Sequence, residues 1–181
     1  MLDLIQRHGY SGTGLNAVLE HARAPKGSLF FHYPQGKEAL GERAVELAAA
    51  RFSTLVADSL LESATPAAVV RRVVDALAGM LEDSDFQLGC PVSVVTLEMG
   101  GQSERLRDAC ANAFESWIEP LTELLVERGR PRPGARVLAT AVVSMVEGAV
   151  IVSRAQRSTE PLHCAAQTLG VLLGQGAEAS A

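Results

Sequence analysis

Apolar residues recur at spacings of three and four through nearly the whole chain, and no stretch shows a convincing apolar–polar alternation. The pattern therefore predicts an all-α protein. Leu2, Leu4 and Ile5 read as the last turns of a first helix that stops at Gly9. Thr13 stands where it can cap a second helix with the inward face Leu15, Val18, Leu19 and Ala22. A break at Arg23-Ala24-Pro25 precedes a short segment over residues 26–33, and Pro34-Gln35-Gly36 is the next break.

Longer helices follow. One runs from Lys37 to about Leu61, with Leu40, Ala44, Leu47, Ala48, Leu55 and Val56 expected inside. Thr65-Pro66 opens another, since proline suits the first helical position, and its face is Val70, Val73, Leu77, Met80 and Leu81. Residues 83–90 read as a loop, and Pro91 begins a short helix ending near Gly100-Gly101. Ser103 starts a long helix with the stripe Leu106, Cys110, Ala113, Trp117, Leu121 and Leu124; Pro120 lies within it and is expected to kink it. Residues 130–134 read as a linker. Residues 135–156 are apolar on nearly every side, so this helix must be covered all round, one face by its own subunit and the other by a partner chain. A last helix over residues 161–173 carries Leu162, Ala165, Ala166, Leu169, Leu172 and Leu173, and the small-residue tail from Gly174 is expected to fray.

Composition narrows the class. The hydrophobic share of 48% in 181 residues is that of a folded globular chain, and aromatics at 4% favour closely packed helices. The greasiest run, residues 137–152, contains Glu147 and falls short of a membrane span; with no leader pattern either, the expected location is cytoplasmic, with no membrane partner. Cys90, Cys110 and Cys164 are far apart, so neither a zinc site nor a disulfide framework is expected, and no metal or cofactor is assigned. The net charge of −5 is unevenly spread: residues 1–45 hold five basic groups against four acidic ones. Both lysines and three of the four histidines fall in this first quarter, a basic head on an acidic body.

The informative stretch is residues 12–34, two short helices joined by a tight turn, with Leu19 and Leu29 placed to hold them together. The second helix presents Lys26, Gly27, Ser28, Phe30 and His32 near its start, where free backbone N–H groups and the positive dipole end suit phosphate. Gly27 lets backbone approach a duplex closely, and Lys26 can reach a guanine edge or a phosphate. This is how a recognition helix docks in the major groove.

Lys26-Gly27-Ser28-Leu29-Phe30-Phe31-His32-Tyr33-Pro34, followed by Lys37-Glu38, resembles the DNA-binding module of the TetR family of repressors, whose pattern runs K-G-[ST]-L-Y-x-H-F-P-x-K-E. The likeness covers roughly residues 4–45. The Pro25-Lys26-Gly27-Ser28-Leu29 string and Gly89-Cys90-Pro91 are also similar to a subgroup of multidrug-responsive repressors. The resemblance implies that Lys26, Gly27 and Phe30 face bases and that Ser28, His32 and Lys37 hold phosphates. Leu15 and Phe31 complete the expected DNA-contact set. Three departures stand out. Arg23 replaces the usual turn glycine, Phe30 replaces the usual tyrosine, and Met1 lies only about two turns before Gly9, where the family carries more helix and often a basic arm.

The implied organisation is a helix-turn-helix module over residues 1–45 and a helical sensing and dimerisation domain over 46–181. The partners implied are a double-stranded DNA operator, a small apolar effector and a second copy of the chain, docked through the last two long helices. Met80, Phe86, Cys90, Phe114, Trp117, Met145 and Glu147 are the candidate pocket residues; each has packing as its plainer alternative. Glu147, a carboxylate in the most apolar helix, must be paired (Arg154 is the obvious partner), protonated or turned to a cavity. Gly12-Thr13-Gly14-Leu15-Asn16-Ala17 fits a dinucleotide fingerprint, but no strand precedes it. No G-x-S-x-G, H-E-x-x-H or paired catalytic carboxylates occur, and His163 has no Cys or Asp at ligand spacing. The alternative to a DNA-binding repressor is an all-helical small-molecule-binding protein or enzyme whose N-terminal module does not bind DNA.

Overall fold

A computed structural model describes residues 1–63 and 65–174; the tail beyond Gly174 lies outside the described residues. Helices account for the regular structure of these residues: α1 Leu2–His8, α2 Leu15–Ala22, α3 Lys26–His32, α4 Lys37–Leu61, α5 Pro66–Asp83, α6 Pro91–Met99, α7 Glu104–Glu127, α8 Arg132–Gln156 and α9 Glu160–Gly174. No strand occurs among them, and the all-α expectation holds.

Local chemistry explains several helix starts. Thr65 Oγ1 accepts the Ala68 N–H at 3.2 Å with Pro66 in the first turn, and Ser103 Oγ accepts the Leu106 N–H at 3.3 Å. Thr13 does something other than the capping expected of it. Gly14 is the N-cap of α2, and the buried Thr13 hydroxyl donates back to the Gly9 carbonyl at 2.6 Å, bracing the α1–α2 turn. The expected linker at 130–134 is also shorter than it reads. Helix α8 already begins at Arg132, because Pro133 in its first turn removes a donor that would lack a helical acceptor anyway.

Packing divides the chain into two compact units: one from Met1–Ala50 with Gly89–Ala113, the other from Arg51–Leu88 with the chain from Phe114 onward. The first unit is built on Ile5, Val18, Leu19, Leu29, Val45, Val92, Val95 and Leu106. Along α4 the buried face is Ala39, Gly41, Ala44, Val45 and Ala48. Leu47 points away from that small-residue stripe and is 46% exposed, contrary to its expected burial; Leu40, Leu55 and Val56 are half-buried.

In the second unit α5 packs on α8 and α9, and α8 packs on α9. Val74, Leu81, Leu125, Ala135, Ala139, Leu162 and Leu169 form its centre. Arg132 pairs with Glu119 and Glu123, and Arg136 with Glu115 and Glu119, tying α7 to the start of α8 across its surface. Helix α8 has 25 residues and an 18-residue stretch of mean hydropathy 1.8, so length and composition alone would allow it to cross a membrane. The shorter run counted from the sequence missed this, because the helix continues through its arginine-flanked ends. One face of it is packed inside the unit, with Ala135, Ala139, Val142, Val146, Ala149, Val150 and Ser153 buried, while Val137, Met145, Ile151 and Val152 are exposed.

Candidate nucleic-acid interface and effector cavity

Helices α2 and α3 are joined by a turn of only three residues. Arg23 closes α2 in the left-handed conformation (φ 51°, ψ 38°), and the Ala24 N–H returns to the Leu19 carbonyl at 3.0 Å. This is the position where the related pattern has glycine, and Arg23 adopts the backbone that glycine would. Val18, Leu19 and Leu29 are buried and hold the two helices to their unit.

With Leu29 alone fully buried on α3, the rest of that helix faces outward. Lys26, Gly27 and His32 are exposed and Ser28 is half-buried. Phe30 is 55% and Phe31 80% exposed, a heavy apolar display for a seven-residue helix. A methyl group added at Gly27 would meet nothing within 4 Å, so no intramolecular packing demands glycine there. Ser28 Oγ is engaged within the turn, donating to the Pro25 carbonyl at 2.7 Å. Leu15 is half-buried at the start of α2.

Lys37 is held more tightly than a free surface lysine. Its ammonium lies 4.4 Å from the centre of the Tyr10 ring and donates to the Ser11 carbonyl at 3.5 Å. The other side of the same turn is gripped by Glu98 of α6, whose Oε2 accepts the Ser11 N–H at 2.6 Å. Tyr10 is buried against α4 at Gly41, where an added methyl would come to 2.6 Å from the ring. Arg105 reaches both the α3–α4 loop and α4: its Nη2 donates to Gln35 Oε1 and its Nε to Glu42 Oε2, each at 2.7 Å. Both loops of the reader are thus fastened by side chains from α6 and α7 that lie far away in sequence, and nothing in the spacing of Glu98 or Arg105 signals it.

In the second unit an apolar cavity is lined by Phe52, Val69, Val73, Trp117, Leu121, Val142, Val146 and Glu147, among others. It contains about 590 Å³ of space free of atoms, mouth included, of which about 50 Å³ accommodates the centre of a water molecule. An adjoining concavity shares Val56, Leu60, Trp117 and Pro120 with it and adds Ser53 and Ser116. Phe52 and Phe114 pack on Trp117 with ring centres 4.6 and 5.4 Å away.

Of the seven residues expected in a pocket, Trp117 and Glu147 line this one. Phe114 touches it only through Trp117, while Met80 and Phe86 pack on the hydrophobic core. Met145 is exposed, and Cys90 belongs to the other unit, at the N-cap of α6. Arg154 donates to the Phe86 and Gln87 carbonyls at 3.4 and 3.1 Å. Phe52 and the valines of α5 and α8 are wall residues not among the pocket candidates, and Pro120, expected to kink α7, lines the cavity as well. Among the described residues, no three His, Cys, Asp or Glu side chains gather as metal ligands would.

An outward-facing short helix behind a tight turn, on an all-helical chain, defines a helix-turn-helix transcriptional regulator. Residues 2–44 match the model of the bacterial regulatory proteins of the tetR family, and residues 66–168 that of the LmrA/YxaF-like transcriptional regulator C-terminal domain. The chain belongs to the TetR family of transcriptional regulators. Among its relatives are two from Bacillus subtilis (strain 168). The uncharacterized HTH-type transcriptional regulator YxaF is 32% identical over 94% of this chain and 89% of its own length. The HTH-type transcriptional regulator LmrA is 33% identical over 88% of this chain and 85% of its own. The crystal structure of a regulatory protein TetR from Rhodobacter sphaeroides superposes with a TM-score of 0.82 at 28% identity, covering 93% of this chain and 92% of that one.

Proposed function

We propose that the protein is a ligand-responsive repressor that acts in the cytoplasm as a homodimer on a pseudo-palindromic operator. On this reading residues 1–45 read DNA, and the remainder senses an effector and dimerises. The observation that carries the reading is α3: Lys26, Gly27, Phe30, Phe31 and His32 all stand in solvent on a helix anchored by Leu29. Lys26, Gly27 and Phe30 face base edges, while Ser28, His32 and Lys37 line the phosphates and Leu15 and Phe31 flank them. Two such helices, related by a two-fold axis, fit half-sites about one helical turn apart or a multiple of it.

The dimer contact is assigned to α8 and α9. Val137 (72% exposed), Met145, Ile151 and Val152 on α8, with Val171 and Leu172 on α9, form an apolar surface that water would otherwise wet. Paired with its copy it makes a four-helix bundle. The cavity supports the sensing half. Its inner space is close to that of one or two waters, so an apolar effector has to expand it on entry. A ligand that binds an expanded state better than the closed one shifts the population between them.

The test is binding to the region upstream of the protein's own gene, measured at several salt concentrations. Sequence-preferring binding that weakens with salt is expected, and Lys26→Ala should weaken it while leaving the dimer intact. If Lys26 contacts a phosphate, the salt slope falls by about 0.9. Binding that is indifferent to salt and to Lys26→Ala overturns the DNA-reading assignment.

A further inference from the structure

Lys37 is the first residue of α4, and that is a costly place for a cation. The free amides of a helix's first turn already carry its positive end, so an ammonium there is repelled unless something offsets it. Two neighbours do. The Tyr10 ring stands under the Lys37 ammonium, 4.4 Å from it at the ring centre, and the Ser11 carbonyl accepts from it at 3.5 Å. Resting on the DNA-reading role proposed above, we infer that Tyr10 is a positioning residue for DNA binding. Its ring and the Ser11 carbonyl hold Lys37 at one fixed point beside the start of α4, preset for a backbone phosphate.

The surroundings of the ring are shaped for this. Gly41 stands one turn after Lys37 on α4, and its missing side chain lets the Tyr10 ring lie against that helix. A methyl there would come to 2.6 Å from the ring and 3.2 Å from Leu106. Glycine weakens a helix interior, so its place in the second turn of α4 is explained by what it admits. Tyr10 itself is only 3% exposed, so packing on its other sides fixes the ring beneath the lysine. Across the same turn Glu98 accepts the Ser11 N–H at 2.6 Å, anchoring the residue whose carbonyl faces Lys37.

A lysine held in this way has less freedom left to lose when it meets DNA. Its bond to Ser11 is long and uses one of three ammonium donors, which leaves two for a phosphate oxygen. With a phosphate in place, the ammonium and the first-turn amides of α4 share one anion, and the cation at the helix start becomes favourable.

The test reads the affinity of the full chain for the duplex upstream of its own gene, by fluorescence anisotropy at one fixed salt concentration. Tyr10→Phe keeps the ring and should bind within about twofold of the wild type. Phenylalanines with successively more ring fluorines, placed at position 10, keep the shape of the ring while weakening its negative face. Affinity should fall step by step along that series, by about two- to fivefold per head at full fluorination. In the Lys37→Ala background the same series should be flat, because Tyr10 then has no cation to hold.

A flat series in the presence of Lys37, or an equal fall with and without it, overturns the inference and leaves the DNA-reading role standing. The second of these results would mark Tyr10 as a packing residue only. Absence of salt-sensitive operator binding by the wild-type protein would instead overturn the reading on which the inference rests.

Discussion

Gly9→Ala probes how firmly α6 holds the reader. Gly9 has a φ of 76° and a ψ of 168°, a region essentially reserved for glycine, where an alanine costs about 1–3 kcal/mol. Its new methyl would also overlap Oε1 of Glu98, so the carboxylate must move and release the Ser11 N–H. A hydrogen bond to a charged group is worth about 1.5–3 kcal/mol; the lower end applies here because the contact is solvent-exposed. The two effects together predict a loss of about 2.5–4.5 kcal/mol. With a urea slope of about 2 kcal/mol per molar, that moves the unfolding midpoint down by more than about 1 M. The assay is urea unfolding followed by circular dichroism, arranged as a double-mutant cycle with Glu98→Ala. Once Glu98 is gone, Gly9→Ala should cost only its backbone share of about 1–3 kcal/mol, leaving a coupling of about 1 kcal/mol or more. Additivity within about 0.5 kcal/mol would refute the claim that the carboxylate occupies that space and bonds that amide.

Arg23→Gly relieves a left-handed residue and should stabilise the chain by up to about 1 kcal/mol, the strain relief less the entropy cost of glycine; a lower melting temperature would show that the Arg23 side chain matters more than its backbone. Hydrogen bonding from Arg136, opposed by some desolvation and aided by its charge, holds the Glu115 carboxyl below the ordinary value near 4.5. A depressed carboxylate stabilises the fold above that value and loses its effect as pH falls through the lowered one. Glu115→Gln should therefore lower the melting temperature at pH 7 and make progressively less difference as pH drops below about 4.5. A deficit that is unchanged at low pH would contradict the pairing.

Much of the fold is written in residues whose effects are local. Pro66 and Pro91 start helices where the sequence places them, Ser103 caps α7, and the Lys26–His32 segment declares itself by composition and spacing. What the sequence hid is set by distant packing. Leu47 reads as core because it is leucine at a plausible spacing, yet around it α4 buries Ala39, Ala44, Val45 and Ala48 instead. Trp117 and Glu147 stood out as pocket residues through their rarity and chemistry, whereas Phe52 and the valines facing them look like any core residue. Glu98 grips a turn 87 residues earlier in the chain, and no local rule registers a partnership of that range.

The grip of α6 and α7 on the reader bears on how such proteins can be recombined. A chimera joined at residue 45 would pair a new reader with the old Glu98 and Arg105, whose partners Ser11, Gln35 and Glu42 all precede the junction. If α3 reads an operator as proposed, the reader does not end as a separable cassette where α3 hands over to α4. Retargeting is then expected to need one of two routes: grafting residues 89–113 along with the N-terminal stretch, or changing only the outward residues of α3 and leaving every fastening in place.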